Sequence, residues 1–327
     1  MKNKNSILME IVFLQTIGPL LVIFGHTMNG LPYLNLYLSI KKFIYVFHMP
    51  LFFFIGGYLF YYTNKNRVIN YKPFIKKKFK RLIIPYLFWN TLFIFPKFIL
   101  TPFLSNKITL NFNTLLINYF TPRLNIWCHM WFLFAMFIVY CFAPFIKKIY
   151  EKNIYIFMII VLSFSLASIF PFKTDFFALA DLSKNTIFFL LGIMIFDKRE
   201  ILKNKNVNLS LIILFIISFL IWLKYDIRLT SFILAFFTLI LLLIVGLLLK
   251  NIKNNIISNN NMILYLFHWP FMITIRIVLY QVLNINYVFV SLIMLIVGII
   301  GPLLMIYIIN KYKLKEKSTI VSTIIGG

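Results

Sequence analysis

Apolar runs of about twenty residues alternate along this chain with short breaks rich in lysine, arginine and asparagine. Ten runs stand out, at 8–28, 43–62, 82–100, 126–146, 154–171, 185–197, 208–223, 229–249, 262–283 and 287–309. A helix rising 1.5 Å per residue needs about 20 residues to cross a hydrocarbon core. The pattern therefore predicts an all-α, polytopic transmembrane helix bundle of about ten spans, with the sixth the shortest. An even number of crossings leaves both termini on one side. Lys2 and Lys4 ahead of the first run imitate a signal peptide. That run lacks a small-residue cleavage site and ends in Gly25-His26-Thr27, so it reads as an uncleaved first span. No internal repeat interrupts the pattern, and residues 1–327 read as a single membrane domain.

Composition strengthens this picture and charge gives it a direction. With 61% hydrophobic residues, 13% charged residues and a mean hydropathy of +0.91, the chain has too little polar surface for a soluble globular domain. The net charge of +25 would suit a nucleic-acid binder, but the cations fall between apolar runs instead of gathering on one face, so no nucleic-acid partner is expected. Placing the N-terminus in the cytoplasm puts 23 lysines and arginines inside and 9 outside, with Arg276 within a span. The positive-inside rule thus sets both termini in the cytoplasm of a multi-pass cell-membrane protein, read as a bacterial plasma membrane. The densest basic stretch runs from Lys72 to Arg81. It suits anionic lipid headgroups, or a phosphorylated cytoplasmic donor that Lys78 and Arg81, three residues apart on a helix, can face together.

Four histidines are the candidates for chemistry. Gln15 and His26 are close to three helical turns apart, so they share one face, with Gly18, Pro19, Val22 and Gly25 between them. His48, with Pro50 in the first turn, is expected to open the second span from the same outer side. His129 stands between Trp127 and Trp131 at the outer end of the fourth span, where an interfacial aromatic belt is the alternative reading. In the ninth span Tyr265, His268, Trp269 and Pro270 are placed in the inner half, with Arg276 farther toward the outer side. An intramembrane charge is a site candidate, with snorkelling to the surface as its plainer explanation. Glu10 is roughly 24 Å of helix from His26. Any carboxylate partner for that ring would therefore be Asp175 or Asp181, from the outer segment 172–184. The outer loop 101–125 is the other stretch able to shape a substrate site, and the asparagine-rich loop 251–261 reads as a flexible connector. Cys128 and Cys141 fall in one predicted helix, roughly 20 Å apart and beyond disulfide reach. There is no P-loop, dinucleotide glycine motif, zinc-type spacing or nucleophile elbow, and no metal site is expected.

Five stretches together carry a family likeness. Gly25-His26-Thr27, Phe47-His48-Met49-Pro50 running on to Tyr58, Lys78-Phe79-Lys80-Arg81 running on to Tyr86, Trp131-Phe132-Leu133 and Tyr265-Leu266-Phe267-His268-Trp269-Pro270 occur in order over nearly the whole chain. The set resembles the acyltransferase 3 family of integral membrane acyltransferases, in particular short stand-alone fucose or polysaccharide O-acetyltransferases. The resemblance implies an acyl-CoA donor, usually acetyl-CoA, reached from the cytoplasm, no permanently bound cofactor, and a surface glycan or lipid-linked glycan as acceptor. It implies His26 and His48 as catalytic residues, and Lys78 with Arg81 as the donor-binding basic pair. His129, Arg276 and Asp181 are the expected substrate contacts. The family's basic residue eleven positions before the first-span histidine is Gln15 here, and the acid commonly found just before it is replaced by Val12. A transporter or flippase for a glycan precursor or lipid is the competing class. Pro19 and Pro270 would then mark broken spans, although inverted repeats are not evident.

Overall fold

A computed structural model describes residues 8–29, 31–32, 34–99, 111–125, 127–249 and 252–326. The described residues form helices and no strands. In chain order these are α1 (Met9–His26), α2 (Asn35–Asn64), α3 (Tyr71–Leu92), α4 (Ile94–Ile99), α5 (Phe112–Phe120), α6 (Trp131–Lys152), α7 (Ile154–Ile169) and α8 (Leu179–Lys198). They continue with α9 (Lys205–Lys224), α10 (Arg228–Leu248), α11 (Ile256–Asn259), α12 (Asn261–Ile275), α13 (Tyr287–Lys311), α14 (Leu314–Lys317) and α15 (Thr319–Ile324). A π-helical turn, Arg276–Val282, prolongs α12.

Every expected span falls on a helix. Among the described residues, eight helices are long and apolar enough to cross a membrane on their own. The other two expected spans fall on α3 with α4, which are divided at Phe93, and on the 16-residue α7. Large apolar side chains face outward along α9 (Leu209, Ile213, Ile217, Leu220) and α13 (Leu292, Ile296, Ile300, Leu304). A continuous apolar exterior of this kind needs lipid as its solvent, so the chain is a multi-pass membrane protein. Asparagines in the breaks have a structural task. The side chains of Asn111, Asn153, Asn204, Asn255 and Asn286 accept backbone N–H groups and cap the helices that follow.

Several expectations are corrected. The sixth span is not a short 185–197 segment but the 20-residue α8, so Asp181 lies in a helical first turn and not in an outer loop. The second span begins at Asn35, which puts His48 near the middle of a 30-residue helix instead of at its opening. The long outer loop contains α5, while its residues 101–110 lie outside the described residues, as do Lys2, Lys4 and Lys250. The 251–261 connector is anchored, because Asn255 Nδ2 donates to Thr16 Oγ1 of α1 at 2.9 Å; Asn251 itself is outside the described residues. Cys128 lies in a 3₁₀ turn ahead of α6, which carries Cys141, and both thiols are free.

The spine is α2, and α8 lies directly against it. A Cβ added to Gly57 would stand 1.9 Å from the Phe189 carbonyl oxygen, and one added to Gly192 would stand 2.2 Å from that of Phe54. Only glycine allows the two backbones this approach. α1 packs against α2, α10 and α12, which brings its single buried carboxylate, Glu10, to the Tyr58 hydroxyl at 2.8 Å. Gly57→Ala is expected to cost about 1–3 kcal/mol by overpacking and to lower the melting temperature of the detergent-solubilised protein. Gly56→Ala meets only side-chain ends, those of Met136 and Tyr140, and should melt close to the parent; equal melting of the two variants would contradict the close α2–α8 crossing. Single cysteines at Asn70 and Asn113 should label from opposite faces of the membrane, Asn70 from the face of the basic loop.

Candidate active site

Two cavities flank the middle of α2. The first, about 550 Å³, is lined by Lys42, Tyr45, His48 and Pro50 of α2, by His26, Cys128 and His129, and by Arg123, Asp181 and Tyr265. The second, about 530 Å³, is lined by Phe52 to Asn64 of the same helix together with Gln15, Arg67, Lys77, Lys78 and Arg81. Phe132 lines the second cavity, and Tyr265 lines both. Its hydroxyl donates to the carbonyl of His129, which ties the shared wall to the turn before α6.

The four histidines converge. His26 stacks on His268 with ring centroids 5.5 Å apart, and His268 meets His129 edge-on at 5.4 Å. Tyr45 links this group to His48, standing 6.4 Å from the His26 ring and 4.7 Å from that of His48. His268 therefore sits beside His26. Because α1 is seated low, with Thr16 already level with the Asn255 loop, its far end reaches only the depth of mid-α2 and of the His268 turn.

Hydrogen bonds fix where three of the four rings carry their proton. A carbonyl oxygen can only accept, so His48 Nδ1, 3.1 Å from the Ile44 carbonyl, is the protonated nitrogen and its Nε2 carries a lone pair. The same holds for His268, whose Nδ1 donates to the Leu264 carbonyl at 3.0 Å and whose buried Nε2 has no partner. His26 is the reverse case. Lys41 Nζ donates to Asn29 Oδ1 at 2.8 Å, which turns the amide NH₂ toward His26 Nδ1 at 2.7 Å. Nδ1 accepts, leaving the proton of the neutral ring on Nε2. The partner of His26 is thus an amide, not the Asp175 or Asp181 carboxylate.

Asp181 is instead held by Arg123 in a two-point ion pair, at 2.9 and 2.6 Å. The guanidinium also lies 4.2 Å over the Trp131 ring. Neither Arg123 nor the residues that set the loop around it stood out in the sequence. Asn90, fully buried in α3, accepts the Trp127 N–H at 3.0 Å, and Asn125 donates to the Tyr86 hydroxyl at 3.0 Å. These bonds pin 121–125 and 127–130 onto α3, with Arg123, Cys128 and His129 lining the first cavity. Two polar residues at helix spacing in an apolar run, Tyr86 and Asn90, were the available signal. Arg276 lines neither cavity; it begins the π turn, buried, with Nε lacking a hydrogen-bond partner.

In the second cavity Lys78 lies 3.6 Å from the centre of the Tyr140 ring, in cation–π geometry. It precedes the apolar stretch that begins at Leu82 and lies outside the span. Burial first, then the neighbouring Arg81 and Lys77 charges, pull its ammonium down to about 7. Gln15 faces this cavity and His26 the other, so one face of α1 addresses both. Among the described residues no cluster of His, Cys, Asp or Glu could hold a metal ion.

No curated protein and no solved structure matches the chain. A family model described as an acyltransferase domain, that of the acyltransferase 3 family, matches residues 10–307. That span takes in both cavities, all four histidines and the basic helix before the third span, and the chain belongs to this family of acyltransferases.

Proposed function

We propose that the protein is a membrane O-acetyltransferase. It takes acetyl-CoA into the Lys78–Arg81 cavity from the cytoplasm and acylates a sugar hydroxyl of a cell-surface polysaccharide or its precursor in the histidine cavity. The observation that carries this reading is the pair of cavities sharing Tyr265, one basic and one lined by imidazoles, on opposite stretches of α2. Cations suit the phosphates of a coenzyme A donor, and its thioester arm is long enough to reach the shared wall. A transporter would need neither the separate chemistry of the two cavities nor the opposed proton placement of the imidazoles.

The tautomers divide the work. His48 Nε2 faces the first cavity with a lone pair and acts as the general base that takes the hydroxyl proton. His26 Nε2–H donates to the thioester carbonyl oxygen as negative charge builds there. The sugar oxygen bonds to the carbonyl carbon, the C–S bond breaks, and the departing thiolate recovers a proton. Asn29 and Lys41 hold His26 in the donor form, and Arg123 with Asp181 braces the wall opposite.

His48→Gln should lower kcat by ~10²–10⁴-fold and remove the base limb of the pH–rate profile. His26→Gln keeps an N–H donor and should stay well above His26→Ala, for which removal of an oxyanion donor predicts a loss of about 10²–10³-fold. The opposite ranking, with His26→Gln losing the base limb, would exchange the two roles; full activity in every variant would remove the histidine mechanism. Lys78 is cationic below about 7, so the affinity for acetyl-CoA should fall as pH rises through that value. Lys78→Arg should flatten this dependence, as read by calorimetry across pH.

A further inference from the structure

The histidine cavity holds more positive charge than its chemistry uses. Lys42, Arg123, Lys184 and Arg228 line it against only Asp181 and Asp226. Arg123 is bound by Asp181, and Lys42 lies 4.0 Å from Asp226. Lys184 and Arg228 have no carboxylate within ion-pair distance among the described residues.

These two cations are brought together by construction. Ser168, at the end of α7 and 1% exposed, donates through Oγ to the Lys184 carbonyl at 2.8 Å. Its own carbonyl accepts Arg228 Nε at 3.0 Å. One buried serine therefore fastens the second turn of α8 to the first residue of α10, beside the cavity that both cations line. The positive-inside rule cannot account for the pair, because the rule favours cations on the opposite face. Two like charges side by side, neither in a direct ion pair, give this end of the cavity a positive potential that attracts an anionic ligand. Asn185 and Ser231 add uncharged polar groups beside the cations, and Tyr45 adds an aromatic ring nearer the imidazoles.

We infer that this cavity selects an anionic acceptor, a glycan carrying carboxylate or phosphate groups close to the hydroxyl that is acylated, with Lys184 and Arg228 binding that charge. The inference rests on the acyltransferase reading for the identity of the hydroxyl, but not for the binding of the anion.

The test uses the full chain in nanodiscs of zwitterionic lipid with three fluorescent probes of matched length: an oligogalacturonate, a glycerol-phosphate oligomer and a neutral oligogalactose. At least one anionic probe should bind about tenfold or more tighter than the neutral one, with affinity falling as salt rises. Preference for the uronate would identify a carboxylate-bearing acceptor, and preference for the phosphodiester a phosphate-bearing one. Lys184→Met and Arg228→Gln should each reduce anionic binding about tenfold while leaving acetyl-CoA binding unchanged. Lys184→Arg and Arg228→Lys, which preserve the charge, should retain it. Equal binding of all three probes, or an anionic preference that survives the double neutral variant, would overturn the inference. Acyl transfer measured in parallel separates the two claims. Transfer to the neutral probe without preference keeps the acyltransferase and overturns the anionic acceptor. Charge-dependent binding without transfer from acetyl-CoA keeps the anion site and overturns the proposed function.

Discussion

A polar ring inside an apolar bundle must find a hydrogen-bond partner within the protein, and the partner each imidazole finds decides what the others can do. His48 and His268 spend Nδ1–H on helical carbonyls one turn back. His26, at the end of α1, meets the Asn29 amide instead. That amide is turned by Lys41 of α2, so a cation that reaches the ring only through Asn29 determines which of its nitrogens holds the proton. Proton placement in this site is thus a consequence of how the α1–α2 hairpin closes.

The hairpin also sets the depth of the chemistry. α2 spans 30 residues, about 45 Å at 1.5 Å per residue, well beyond a hydrocarbon core. Its central turns can therefore lie deep within the bilayer while its ends reach both surfaces, and both cavities are built along its length. The glycine crossing with α8 keeps this long helix in place and brings Asp181, at the far end of α8, within reach of Arg123. Loosening that crossing would shift the ion pair and the wall it braces together.

Much of this was legible in the sequence. Apolar runs of membrane length gave the helices, and ordered motifs placed His26, His48, Lys78 and Arg81 near one another in function; the structure puts His26 and His48 on one cavity and the basic pair on the other. The misreadings share a physical cause, since hydropathy reports what can enter lipid and not where a helix begins or how deeply it sits. The polar start of α2 and the Asp181 turn of α8 were read as loop because they carry charge. His26 was placed at the outer surface because it ends its apolar run, whereas α1 is itself low in the bundle and its far end meets His268. Arg123 could not be distinguished from other loop cations, because its value comes from a partner 58 residues away.

The central claim is that donor and acceptor meet from opposite sides across the Tyr265 wall. Its most direct test is acyl transfer in sealed proteoliposomes of known orientation, with acetyl-CoA and an impermeant glycan acceptor supplied on chosen sides. Transfer should require acetyl-CoA on the side of the Lys78–Arg81 loop and acceptor on the side of the histidine cavity. Transfer with both substrates confined to one side would contradict the account.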